Sequence, residues 1–371
     1  MSQKEPSPVA RDEEEKEFNQ IWQMFFEELP EICQTIETGI NESDLRETVI
    51  GKLPSGKQYV LKIVDNDFTF PEKIEVWSRT AEEYQKLGYY APTIYRDREG
   101  NFPRVSYKGR KCVAFAEDYA PYVPVEDRFL GKNEKATGDE PKKPIRKPYE
   151  VYQREMWQMT AKIAEKHFDY TEYPSAWCLF QRFCPSDEMD EITENAVEWK
   201  EYADSLPEKF HEQVERIWKR WNDNKDALEK VYHLLPTSIF QADLNATNLL
   251  LDEQDRFVGV FDFNLCGKEV CLNYFFREVH HPDFATEEKM LCDTLEIIRE
   301  YYHFSEEEKD LALMLYRCVK PLFGNKIIRF RELKDDWTEV RRFLDETELF
   351  LMKDIDFRPY MTNGSDKVNK N

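Results

Sequence analysis

The sequence predicts an α+β protein in two lobes, a small N-terminal lobe built on an antiparallel sheet with one helix and a larger, mainly helical C-terminal lobe. Three observations carry this. Strand-like apolar runs bounded by turn residues fill the first third of the chain: Tyr59 to Val64 follows the turn Pro54-Ser55-Gly56, and Lys111 to Ala116 is a second such run. One helical stretch lies between them over residues 71–87, opened by Pro71 and Glu72 and closed by Gly88. Beyond residue 150, apolar residues recur at helical spacing over 150–167, 197–233 (interrupted near Pro207), 287–302 and 337–352.

The expected division is a disordered acidic tail over 1–17, an N-terminal lobe over 18–118 and a C-terminal lobe over 119–371. With 371 residues, each lobe is long enough for a core of its own. Ile40 to Asp44 reads as a loop between two strands. Gly131 to Pro148 carries Lys132, Lys135, Lys142, Lys143, Arg146 and Lys147 among Pro and Gly; it reads as a mobile loop, either a lid over a nucleotide or, the reading preferred, an exposed insertion. Ser305 with Glu308 forms a capping-box signature that opens a further helix. The tail after Pro359 reads as loose.

The most informative segment is Gln241-Ala242-Asp243-Leu244-Asn245-Ala246-Thr247-Asn248, followed by Phe261-Asp262-Phe263. Leu249 to Leu251 is apolar, Asp252 to Arg256 polar, and Phe257 to Phe261 apolar again, which reads as strand, turn, strand. Such a hairpin lets Asn248 and Asp262 face one point, with Asp243 on the loop just before. An Asp, an Asn five residues later and an Asp beyond a hairpin suit phosphoryl transfer, where the protein's task is to aim a hydroxyl and neutralise phosphate charge. The bland alternative is that all three are turn residues, which Asp and Asn also favour.

This pattern resembles the aminoglycoside phosphotransferase and choline kinase family, small-molecule kinases on a protein-kinase-like bilobal fold. The family pattern is His-Gly-Asp-x-x-x-x-Asn, then Ile-Asp-Phe or Ile-Asp-Trp. The chain keeps Asp243, Asn248 and Asp262 and carries Gln241 and Ala242 where His and Gly are expected. The His braces the loop in that family, so no reacting group is lost. The resemblance implies ATP and Mg²⁺ as cofactors. Asp243 then positions the acceptor hydroxyl as the catalytic residue, and Asn248 and Asp262 hold the metal. Lys62, on the strand Tyr59 to Val64, grips the nucleotide phosphates. Glu75, Glu82 and Glu83 are candidates for the acid that orients Lys62, and the family's spacing favours Glu75. Asn41 and Ser43 stand where a Ser/Asn-rich loop covers phosphate, in place of a Gly-rich run. Glu117 and Tyr119 fall in the hinge, where backbone groups bind adenine.

Charge and composition narrow the partners. A net charge of −22 excludes a nucleic-acid grip through a basic surface and repels anionic membranes. It favours a cationic small molecule, and eight acidic side chains against Lys200 alone between Ser186 and Ser205 concentrate that effect. A solvated helix face explains the same residues. No apolar run reaches membrane-spanning length, and the charged start lacks a secretory segment. The eight cysteines form no C-x-x-C pair and read as reduced thiols of a cytoplasmic protein, and the six histidines form no metal signature.

The expected function is an ATP-dependent phosphotransferase acting on a hydroxyl of a small, amine-bearing molecule. Two other readings stay open on these residues. One is a kinase-shaped protein without turnover, a structural or interaction protein of the spore-coat-associated kind. The other is a kinase for a neutral sugar or an amino acid.

Overall fold

The computed structural model describes residues 8–39, 44–129 and 148–362. In chain order, helix α1 (Pro8–Phe25) leads to strands β1 (Glu31–Glu37), β2 (Leu45–Lys52) and β3 (Gln58–Asp65). Helix α2 (Pro71–Lys86), strands β4 (Ile94–Tyr95), β5 (Arg104–Tyr107), β6 (Arg110–Asp118) and β7 (Val123–Pro124) and the short α3 (Val125–Phe129) follow. Helices α4 (Pro148–Ala164), α5 (Glu191–Asp204) and α6 (His211–Val231) precede strands β8 (Thr237–Phe240), β9 (Leu249–Leu251), β10 (Phe257–Val260) and β11 (Gly267–Val270). The chain closes with α7 (Cys271–Glu278), α8 (Phe284–Ile298), α9 (Glu306–Val319), α10 (Gly324–Glu332), α11 (Trp337–Met352) and α12 (Arg358–Met361). This is the expected α+β arrangement.

Two compact units emerge. The N-terminal unit runs to residue 146 and also takes in Cys184–Ser186 and Asn245–Asn264; the C-terminal unit holds the remainder. The lobe boundary expected at residue 118 is therefore replaced by a division that draws the β9–β10 hairpin into the N-terminal unit. Hydrogen bonding explains it, because β7 pairs with β9 and Tyr90 pairs with Gly259 of β10.

The main sheet of the N-terminal unit is antiparallel, in the order β1-β2-β3-β6-β4 with β5 also on β6. The expected tail over 1–17 is corrected here: α1 starts at Pro8. Its Phe18, Ile21, Trp22 and Phe25 recur at spacings of three, four and seven and are buried against Leu61, Ile63 and Ala114 of the sheet. Each such side chain contributes about 1.5–3 kcal/mol on burial, enough to hold an acidic segment in a helix. Helix α2 buries Ile74, Trp77, Ala81 and Tyr84, and ends before Gly88, which adopts φ +87°.

In the C-terminal unit the helices form a core rich in tryptophan, with Trp157, Trp199 and Trp221 fully buried. The break expected near Pro207 separates α5 from α6, and Asp190 caps α5 by accepting the Thr193 N–H. The Ser305–Glu308 capping box is formed at α9. A two-stranded ladder, β8 with β11, carries the loop that contains Asp243.

Candidate active site

In the N-terminal unit, Lys62 lies opposite Phe115 in the β3–β6 ladder and Val60 lies opposite Glu117. Side chains two residues apart share a sheet face, so Lys62 and Glu117 meet diagonally. Lys62 Nζ stands 3.2 Å from Glu117 Oε2 and 3.1 Å from Asp262 Oδ1. Burial works against the Lys62 charge, but Asp262 and Glu117 outweigh it and hold the ammonium above its usual range. Burial pushes the Glu117 carboxyl up, Lys62 pulls it down, and Asp262 adds to the rise.

The β9–β10 hairpin positions the residues that flank it. Leu249 pairs with Val260, and the Phe261 N–H donates to the Asn248 carbonyl at 3.1 Å, so Asn248 and Asp262 flank the open end of β9–β10. Asp262 sits at φ +59°, a left-handed conformation that non-glycine residues seldom adopt. Beside Lys62 and Asp262 a cavity of about 60 Å³ is also lined by Arg46, Asn66, Trp77 and Asn264. The buried Nδ2 of Asn66 and Nε1 of Trp77 have no hydrogen-bond partner among the described residues. Two donors and two cations around one cavity suit an anionic oxygen-rich group. The described residues contain no group of three or more His, Cys, Asp or Glu able to hold a metal. Asn248 and Asp262 offer one amide and one carboxylate, a donor set that fits a hard cation completing its shell with water and phosphate oxygens.

In the C-terminal unit, Asp243 is half-buried one residue after Ala242, which adopts φ +69°. Gln241 is fully buried, and its Oε1 accepts the Asp243 N–H at 2.8 Å. The glutamine thus braces the loop from the position where the resemblance expects His. The Trp177 indole N–H donates to the Ala242 carbonyl.

The remaining expected residues divide. Glu75 does not orient Lys62. It lies on the exposed face of α2 and pairs with Arg96, because the apolar stripe of Ile74, Trp77, Ala81 and Tyr84 takes the inner face. The acid beside Lys62 is Glu117, assigned from sequence to the hinge for its backbone alone. Tyr119, just past β6, is 42% exposed. Asn41 and Ser43 lie outside the described residues, as does the basic insertion up to residue 147. Of the acidic segment, Asp190 caps α5, Glu191 bonds Arg277, Glu198 pairs with Arg331 and Asp204 pairs with Lys200. No disulfide forms among the described cysteines, and no helix among the described residues is long and apolar enough to cross a membrane. Sequence reasoning passed over Trp177 and Arg277, which stand in no motif and reach the loop only through the fold.

Residues 148–269, about a third of the chain, match the sequence model of the Phosphotransferase enzyme family, a span that contains Asp243, Asn248 and Asp262. Fold and match together make the chain similar to the small-molecule phosphotransferases of kinase-like fold. Among solved structures the chain is similar to the microcompartment-associated aminopropanol kinase, with a TM-score of 0.51 and 13% identity over 90% of this chain and 95% of that one. It is similar also to the amicoumacin kinase hAmiN in complex with AMP-PNP, Ca²⁺ and Ami, with a TM-score of 0.50 and 13% identity over 95% of this chain and 98% of that one. No curated protein matches it in sequence.

Proposed function

We propose that this chain is an ATP-dependent, Mg²⁺-requiring kinase of the cytoplasm that moves the γ-phosphate to a hydroxyl of a small, amine-bearing molecule. The observation that carries the reading is the bond between the strand lysine Lys62 and the hairpin aspartate Asp262. A structural protein has no need to bring these two together next to a cavity with unmatched donors. In this reading the N-terminal unit binds the nucleotide, with Lys62 on its phosphates and Glu117 and Tyr119 at the adenine. Asn248 and Asp262 hold the cation, whose charge offsets that of the phosphates. Asp243 of the C-terminal unit aims the acceptor oxygen and takes its proton as the new P–O bond forms and the bond to the departing ADP breaks.

The amine is supported by the net charge of −22, which raises the local concentration of cations. The names of the two similar kinases, for aminopropanol and amicoumacin, are consistent with it. The pairing of Glu191, Glu198 and Asp204 with basic side chains favours a second reading, a neutral sugar or amino-acid acceptor, since those carboxylates are already matched. The absence of disulfides among the described cysteines suits a reducing compartment.

A screen of hydroxyl compounds for ADP release separates the cases. Amine-bearing acceptors should turn over and lose kcat/KM as salt rises, because screening weakens the attraction; a salt-independent preference for neutral alcohols would select the second reading. Asp262→Ala should abolish Mg-AMP-PNP binding and Asp243→Asn should abolish turnover with binding retained. Full turnover by both variants would sink the proposal.

A further inference from the structure

The loop 241–244 presents a physical problem that its sequence does not solve. Ala242 is held at φ +69° with its side chain fully buried, in a region where a Cβ is disfavoured and glycine is at ease. Gln241 braces the loop from within by accepting the Asp243 N–H, and groups outside the loop must hold the conformation as well. Two groups do so from opposite sides of Asp243. The Trp177 indole N–H donates to the carbonyl of residue 242, and Glu278, at the end of α7, accepts the N–H of Leu244. Between them they fix the peptide planes that flank Asp243, and so the direction of its side chain.

Both groups converge on one residue. The Arg277 guanidinium lies over the Trp177 ring, 3.2 Å from its centre, and donates to Glu278 Oε1 at 2.9 Å. Its Nε and Nη2 donate to Glu191 in the first turn of α5 at 3.2 and 3.3 Å. The side chain is 12% exposed, so these contacts form in a weakly screened setting and the planar fork can serve both carboxylates while stacked. Asn273 Nδ2 donates to the Trp177 carbonyl at 3.0 Å, which ties the tryptophan to α7 a second time.

We infer that Arg277 is the positioning residue of the catalytic loop, acting through Trp177 and Glu278 to hold the backbone on either side of Asp243. The inference rests on the reading of Asp243 given above. It also accounts for the Gln241-Ala242 departure: a loop with alanine in place of glycine is workable here because an external clamp enforces its shape. A plain core ion network would explain the burial of Arg277, but not why both of its relays end on residues 242 and 244.

The test uses the full chain and three variants. Hydrogen exchange followed by mass spectrometry should show peptides spanning 241–245 exchanging at least about tenfold faster in Arg277→Gln, since a bond to a charged group is lost on one side and its relay on the other. Trp177→Phe keeps an aromatic face under the guanidinium and removes the indole N–H; it should produce a smaller rise in the same peptides, with α6 peptides unchanged. Arg277→Lys should be intermediate, because an ammonium has no planar fork to share between two carboxylates. With an acceptor from the screen, Arg277→Gln should lower kcat by roughly ten- to a hundredfold and leave KM for ATP within twofold, the split expected of misplacement rather than lost binding. Unchanged exchange at 241–245 in both Arg277→Gln and Trp177→Phe overturns the clamp, and unchanged kcat in Arg277→Gln overturns its positioning role. Turnover retained by Asp243→Asn would instead strike the reading of Asp243 itself, so the two failures are distinct.

Discussion

Replacing Lys62 by methionine should produce a loss of stability that grows with pH. The substitution keeps the length of the side chain and removes the charge, leaving Glu117, whose side chain is 5% exposed, beside the like charges of Asp262 and Asp118. A buried carboxylate without its cation protonates rather than remain charged. Its folded pKa, already raised by burial, then rises further, whereas the unfolded value stays near about 4.3. A group raised on folding contributes stability that is complete below the unfolded value and lost as pH climbs toward the folded one. Each pH unit between the unfolded and the folded value is worth about 1.4 kcal/mol, so the penalty grows as pH rises through that window. Urea unfolding read through hydrogen exchange of the β3 and β6 peptides would report the N-terminal unit alone. Lys62→Met should fall below the wild type along that slope, and Lys62→Met/Glu117→Gln should return to within about 2 kcal/mol and lose the slope. Equal losses for Lys62→Met at pH 5 and pH 7.5, or a double variant no better than the single one, would refute the assignment of Glu117 as the lysine's structural counter-ion.

Three other outcomes follow from the same geometry. Gly259 has φ +156°, and an added Cβ would stand 2.0 Å from the Tyr90 carbonyl oxygen; Gly259→Ala should therefore cost more than about 2 kcal/mol, read as faster exchange in the β9 and β10 peptides. Glu269 is fully buried, and burial pushes its carboxyl up to about 7 against hydrogen bonds from Ser175 and Asn273. Its contribution is complete below the unfolded value and lost toward pH 7, so Glu269→Gln should gain on the wild type by about 3 kcal/mol between pH 4.5 and pH 8, and parallel curves would contradict this. Ala242→Gly should raise thermal stability by about 0.5–1 kcal/mol, the relief of a left-handed alanine less the extra freedom of glycine in the unfolded chain.

How far the sequence reached depended on whether the deciding contact is local. The β9–β10 hairpin, the ends of α2 and the α9 capping box rest on neighbours a few residues apart and were legible. So was the kinase-like order of lysine, helix, loop and hairpin. The strands β8 and β11 are four residues each, and partners such as Phe240 and Gly267 lie far apart in the chain, so no local pattern marks them. The acid beside Lys62 is likewise a cross-strand neighbour 55 positions away. Family spacing pointed to Glu75 instead, although the α2 stripe of Ile74, Trp77, Ala81 and Tyr84 already turns residue 75 outward. Helix α1 was hidden by charge: the acidic run before Phe18 masked a 3–4–7 spacing of aromatic and aliphatic residues that was present all along.

Ala242 and Asp262 share a local design. Each stands two residues beyond the end of a strand, β8 at Phe240 and β10 at Val260, and each takes a left-handed backbone without being glycine. A reversal at that point turns the chain sharply off the strand, and with a side chain present it costs about 1 kcal/mol or more that neighbouring bonds must offset. At Asp262 the offset comes from Lys62 and from the Phe261 to Asn248 backbone bond. At Ala242 it comes from Trp177 and the Glu278 bond to Leu244. Strain and clamp make opposite demands, and this separates them experimentally. If the alanine is strained, Ala242→Gly raises global stability; if its Cβ also narrows the conformations left to the loop, the same variant speeds exchange at 241–245 while the rest of the C-terminal unit slows. A gain in stability accompanied by slower exchange at 241–245 would mean that the alanine merely strains the loop and that Arg277 has nothing to restrain.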